Sequence, residues 1–146
     1  FANRLGQLCA FEVREAVDGD EVKPNRALLA PGGRQMKLKR RHDGVLIVEI
    51  NDDPPVNRHR PAVDYLFHSV AELLGKKAVG VLLTGMGADG AKGMAAMKTA
   101  GARTIAQDEE SCVVFGMPKE AIKLGGAEVI KPLGEVAGTL LSWLGK

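Results

Sequence analysis

At 146 residues, 45% hydrophobic and 26% charged, with a formal net charge of +2, the chain has the size and balance of one ordinary globular domain. That composition excludes a disordered chain and one that binds nucleic acid by bulk charge, and a core burying roughly 68–70% of the unfolded surface needs no staples. Cys9 and Cys112 are too isolated for a disulfide framework or a zinc site and read as small buried hydrophobes, and no apolar run approaches the ~20 residues of a membrane span.

Phe1, Leu5 and Leu8 stand at helical spacing with no initiator methionine before them, as though the text opened inside a helix of something longer. Residues 11–16 then alternate like a half-exposed strand closed by Asp18-Gly19-Asp20, and residues 26–30 form a second short strand ended by Pro31-Gly32-Gly33. Residues 35–40 alternate, His42-Asp43-Gly44 turns and residues 45–50 return. This predicts a β-hairpin with Lys37, Lys39, Arg40 and Arg41 on its solvated face. Residues 51–60 are polar, rich in proline and aperiodic, a surface loop. Pro61 suits a first helical turn, and Val63, Leu66, Phe67, Val70 and Leu74 mark the apolar face of a helix ended by Gly75. Residues 79–83 read as a buried strand, Ala91, Met94, Ala95 and Lys98 space a small-residue helix, and residues 103–107 form the next strand. Residues 117–124 give a short helix and residues 127–130 a last strand broken by Pro132. Val136, Thr139, Leu140, Trp143 and Leu144 make a closing helix with Trp143 in the core. From Pro61 onward this alternation predicts an α/β fold, a doubly wound, mostly parallel sheet in a Rossmann-like three-layer sandwich with a β-hairpin, all in one domain.

The strand of residues 79–83 runs into Thr84-Gly85-Met86-Gly87-Ala88-Asp89-Gly90, where glycines permit a sharp bend that brings a helix N-terminus to the carboxyl edge of the sheet. Gly85-x-Gly87-x-x-Gly90, with Asp108 about 20 residues on, formally matches a dinucleotide fingerprint. Against it, Asp89 sets a carboxylate where a pyrophosphate should sit. The plain role for Asp89 is N-cap of the helix that follows. The sharper role is to orient the histidine of a nucleophilic triad while amides of the same turn polarise a carbonyl. Partners for it are not evident. His42, His68, Ser69 and Ser142 lie in a turn or in helices, Ser111 lies in a loop, and no serine sits in a Gly-x-Ser-x-Gly elbow; His59, in Asn57-Arg58-His59-Arg60, is the best placed.

The runs Asp53-Pro54-Pro55-Val56-Asn57-Arg58-His59-Arg60-Pro61, Leu83-Thr84-Gly85-Met86-Gly87-Ala88-Asp89-Gly90 and Ala106-Gln107-Asp108-Glu109-Glu110-Ser111-Cys112-Val113-Val114-Phe115-Gly116-Met117-Pro118 closely resemble the catalytic domain of the chemotaxis protein-glutamate methylesterase (CheB) family. The resemblance covers essentially the whole chain. It implies hydrolysis of receptor glutamate methyl esters and deamidation of certain receptor glutamines by a serine–histidine–aspartate triad. It also implies that Asp89 is the triad aspartate, that Met86 lends its backbone amide to the oxyanion hole, and that Asn57, Arg58, His59 and Arg60 border the substrate cleft. The implied partners are methylated chemoreceptor cytoplasmic helices and a response-regulator receiver domain. No cofactor, metal, nucleic acid or membrane insertion is expected, and the protein reads as a cytoplasmic monomer.

In that family the serine and histidine lie upstream, on glycine-rich and Gln-His-Met segments that these residues do not include. The chain is therefore expected to be the carboxyl-terminal part of the esterase domain, residues 1–146, without the receiver domain and inactive alone. The competing expectations are a catalytically inactive fragment that docks on receptors or receivers, and a nucleotide-binding module.

Overall fold

The computed structural model describes residues 1–145; Lys146, the last residue of the expected domain, lies outside them. In chain order the elements are α1 (Ala2–Leu8), β1 (Glu12–Glu15), β2 (Arg26–Leu29), β3 (Gln35–Arg40), β4 (Leu46–Asn51), α2 (Val63–Leu74), β5 (Val79–Leu82), α3 (Ala91–Thr99), β6 (Arg103–Gln107), α4 (Met117–Lys123), β7 (Val129–Lys131) and α5 (Leu133–Trp143). The α/β class, the parallel pairing and the hairpin are those read from the sequence. Strands β1 and β2 pair in parallel, β3 and β4 antiparallel, and β5, β6 and β7 form a parallel sheet with β6 at its centre. The central position of β6 explains its uninterrupted burial: Thr104, Ile105, Ala106 and Gln107 are all fully buried, as a strand covered on both faces must be.

In the hairpin, Met36 faces Ile50 and Leu38 faces Val48, while Lys37 and Lys39 on the other face reach Glu49 at 3.9 and 3.6 Å. Alternation thus separates an apolar side from a charged one. Helix α2 joins the two halves of the core. Its Leu66 packs with Ala16, Met36, Val48 and Ile50 under the hairpin. Its Val63 and Phe67 pack with Leu82, Ala91, Met94 and Ala121 beside β5. Full burial of side chains of this size stabilises by roughly 1.5–3 kcal/mol each, and these three, partly buried, contribute a share of that, which holds α2 between the hairpin and α3. The contact with α3 is close because residue 93 is glycine: a Cβ there would stand 2.5 Å from the Phe67 Cβ and 3.0 Å from Asp64 Oδ1.

Some positions differ from expectation. Pro61 is not in the first turn of α2; it follows a cis peptide and precedes Ala62, the extended N-cap. The helix begins at Val63 because its first amides are received by a carboxylate from elsewhere in the chain, described below. Trp143 is half-buried rather than in the core, with the Arg103 guanidinium 3.9 Å from its ring centroid and donating to Glu128 at 2.7 Å. Cys9 and Cys112 are likewise only partly buried. Among the described residues no helix is long and apolar enough to cross a membrane.

Candidate active site

The loop between β4 and α2 is built, not slack. Asn57 (φ 53°) and Arg58 (φ 67°) both hold positive φ, and His59 N donates to Val56 O at 2.8 Å while Val56 N donates to His59 O at 3.0 Å. That is a two-residue hairpin of type I′ geometry, which asparagine adopts more readily than other side-chain-bearing residues. From beneath, the fully buried Gln35 holds both limbs. Its Nε2 donates to Pro54 O (3.1 Å) and His59 O (3.3 Å), and its Oε1 accepts from Ala62 N at 2.9 Å. At the start of the loop Tyr65 donates to Asp53 and accepts from Asn51. Burial and then the bond to Asp53 push the Tyr65 phenol above its ordinary range, so this tether stays protonated at neutral pH.

The tip of the hairpin delivers Asn57 to a pair of buried carboxylates. Its Nδ2 donates to Asp64 Oδ2 at 2.7 Å and to Asp89 Oδ1 at 3.0 Å. Asp89 is only 5% exposed, and it does not cap α3, whose N-cap is Gly90 at φ 99°. Instead it accepts from Val63 N (2.7 Å, on Oδ2) and Asp64 N (3.1 Å, on Oδ1), the first amides of α2. Asp64 in turn accepts from Gly93 N in the first turn of α3 at 2.7 Å. Each carboxylate therefore sits at the positive end of a helix dipole, with backbone donors aimed at it. Oδ2 of Asp89, with one donor among the described residues, keeps a lone pair.

The other half of the site is the turn after β5. Gln107 is fully buried at the end of β6, and its Oε1 accepts from Thr84 N at 2.7 Å; its Nε2 donates to Ser111 O at 2.9 Å. Gly85 N donates to Val114 O at 3.1 Å, and Gly85 O accepts from Met117 N at 2.8 Å. Gly116 is packed so closely against the turn that a Cβ would lie 2.6 Å from Gly85 O. The turn is thus held on one side by β6 and on the other by residues 111–117. Met86 crowns it, 81% exposed, and no group among the described residues accepts from its N–H.

Of the residues singled out in the sequence, Asn57, Asp89 and the Met86 turn belong to one edge of the fold; Arg58, His59 and Arg60 are exposed, as Asn57 itself is, but among the described residues only Asn57 of the four bonds the two acids. Asp108, the candidate ribose acid, is engaged by Ser111, whose N and Oγ donate to it at 3.0 and 2.6 Å. Ser69 Oγ is occupied by Leu38 N and Leu66 O. No serine or histidine among the described residues hydrogen-bonds to Asp89. Asp64, Gln35 and Gln107 were not evident as site residues. The signal available for Asp64 was a carboxylate in the first turn of α2, which reads equally as that helix's own dipole partner. Among the described residues there is no group of three or more potential metal ligands.

Residues 1–140 match the family model described as CheB methylesterase. The chain belongs to the CheB methylesterase family. It is similar to a protein-glutamate methylesterase/protein-glutamine glutaminase of Dechloromonas aromatica, 57% identical over 143 residues that make up 98% of this chain and 40% of the relative. A relative of the same description in Albidiferax ferrireducens is 59% identical over 142 residues, 97% of this chain and 41% of the relative. The crystal structure of the Thermotoga maritima CheB methylesterase catalytic domain superposes with a TM-score of 0.93 at 39% identity, over 97% of this chain and 75% of that one. The chain thus spans about two-fifths of the length of the curated relatives it matches (40% and 41%). In a CheB fold the glycine turn is no nucleotide cradle: a pyrophosphate at the start of α3 would meet Asp64, which already holds Gly93 N, and Asp89 beside it.

Proposed function

We propose that this chain is part of the catalytic domain of a cytoplasmic protein-glutamate methylesterase that also deamidates receptor glutamines, with Asp89 as the triad aspartate. The observation that carries this reading is a buried, backbone-anchored carboxylate at the carboxyl edge of β5, beside a turn whose Met86 amide has no acceptor among the described residues. The serine and histidine come from sequence outside these residues, so the chain alone is inactive.

In the assembled site, the free lone pair of Asp89 Oδ2 receives the histidine Nδ1–H and fixes the tautomer in which Nε2 is the base. The serine Oγ forms a bond to the ester carbonyl carbon as its proton passes to Nε2, and the resulting imidazolium lies against Asp89. The Met86 amide donates to the oxyanion, a charge present only in the transition state and the tetrahedral intermediate. Collapse breaks the carbon–oxygen bond and methanol leaves with the proton from Nε2. Water then repeats the sequence on the acyl-enzyme, leaving glutamate; with a glutamine substrate, ammonia leaves instead. Arg58, His59 and Arg60, exposed beside Asn57, border the cleft that receives a methylated chemoreceptor helix. A receiver domain, present in the same protein, is the regulatory partner.

The test is methanol release from methylated receptor, comparing the chain of residues 1–146 with the full-length protein. Release by the full-length protein alone supports the reading. Release by the 146 residues alone would place a nucleophile and a base among them and overturn the assignment.

A further inference from the structure

We propose that Asn57 is a positioning residue for the triad, holding Asp89 in the orientation that receives the histidine; this inference rests on the methylesterase reading above. Among the described residues Asn57 supplies the side-chain donor to Asp89, the other donors being the backbone amides of Val63 and Asp64. The two hydrogens of one amide nitrogen are spent on two carboxylates, Asp64 Oδ2 and Asp89 Oδ1. Chemistry fixes which end of that amide faces inward, since its oxygen would repel both acids. The bridge ties Asp89 Oδ1 down while leaving Oδ2 with a free lone pair, so the carboxylate cannot rotate about its own axis without breaking a bond.

The backbone points the same way. Asn57 and Arg58 are consecutive side-chain-bearing residues at positive φ, a conformation that persists only where its surroundings impose it. Gln35 and the Val56–His59 pair impose it here. What the strained tip achieves is delivery of one short amide to the acids. Asparagine combines tolerance of that φ with the donor: glycine has the first only, and aspartate has the φ tolerance and the shape but puts an acceptor where the donor stood.

The test measures kcat and KM for methanol release in the full-length protein, together with the low-field proton resonance of the triad histidine and the melting curve. Asn57→Gly is expected to lower kcat ten- to a hundredfold with KM within twofold, and to shift or broaden the low-field resonance, in protein that remains folded. Asn57→His tolerates the turn and offers Nδ1–H at a similar reach, so it is expected to recover part of that loss. If Asn57→Gly keeps kcat within twofold of an active parent, the positioning role is overturned while the methylesterase reading stands. If rates fall only in proportion to the unfolded fraction, in both variants, the residue is merely structural and the proposal again fails. If the parent itself releases no methanol, the methylesterase reading fails and this inference falls with it.

Discussion

Asp64 and Asp89 cap each other's helices. Asp89 precedes α3 in the chain yet binds the first amides of α2, while Asp64 lies in α2 yet binds Gly93 N in the first turn of α3. The exchange locks two packed helices at their N-termini and, in doing so, sets a carboxylate at the edge of β5. On the proposed reading stability and chemistry share the same atoms, and separate substitutions can distinguish them.

Asp64→Ala removes the acceptor of Gly93 N and of one Asn57 hydrogen, at a position only 3% exposed. Two orphaned donors at such a site cost about 2–4 kcal/mol, so the urea midpoint of the full-length protein should fall accordingly. A loss under 1 kcal/mol would mean that water replaces the carboxylate freely.

Gly93→Ala sets helix propensity against packing. Alanine is the better helix former by about 1 kcal/mol, but its Cβ would stand 2.5 Å from the Phe67 Cβ. Overpacking of this kind costs typically 1–3 kcal/mol, more when backbone must shift, and a net loss of about 1 kcal/mol or more is expected by chemical denaturation. A gain would show that α2 and α3 can separate without penalty.

Gln107→Leu keeps the shape of a buried side chain but leaves Thr84 N without its 2.7 Å acceptor. The glycine turn then loses its tie to β6. With the proposed role of the Met86 amide as oxyanion donor, a small displacement of the turn is costly, and kcat for methanol release should fall about ten- to a hundredfold with little change in KM. A matching rise in KM instead would place Gln107 in substrate binding.

A pH dependence follows from the N-terminal half. Arg14 grips Asp20 with both terminal nitrogens, at 2.7 and 2.8 Å, and this bond, aided by Val17 N, holds the Asp20 carboxyl below its usual range. A depressed carboxylate contributes stability that is present above its unfolded value and is lost as pH falls through the folded one. Arg14→Gln should therefore be less stable than the parent at pH 6, with the difference shrinking below about pH 4, as read from urea midpoints across that range. A difference that stays constant with pH would assign the effect to packing of the Arg14 stem.

Much of this was legible in the residues. Strands at Gln35–Arg40 and Arg103–Gln107 stand where alternation and apolar runs put them, and α2 ends at the glycine that stops its pattern. The glycine turn drew attention to Asp89 because bends of that kind announce themselves locally, whereas Met86 is named only by the family resemblance. What stayed hidden was which element each carboxylate faces. Asp89 looked like the cap of its own helix, yet its partners lie some 25 residues upstream, and no periodicity encodes a bond of that span. Gln35 and Gln107 were hidden for the same reason: a glutamine in a strand reads as an ordinary polar position until tertiary structure buries it. Trp143 stands outside the core its spacing predicts because Arg103, 40 positions earlier in sequence, covers its ring.

The measurement that bears most directly on the account is the rate of methanol release from methylated receptor by the full-length protein and its Asp89→Asn variant. Asparagine preserves the size of the side chain but cannot hold the histidine in the required tautomer, so kcat should fall by roughly 10³–10⁴ while the protein still binds receptor. A variant that keeps more than a tenth of the parent rate would contradict the assignment of Asp89 to the triad.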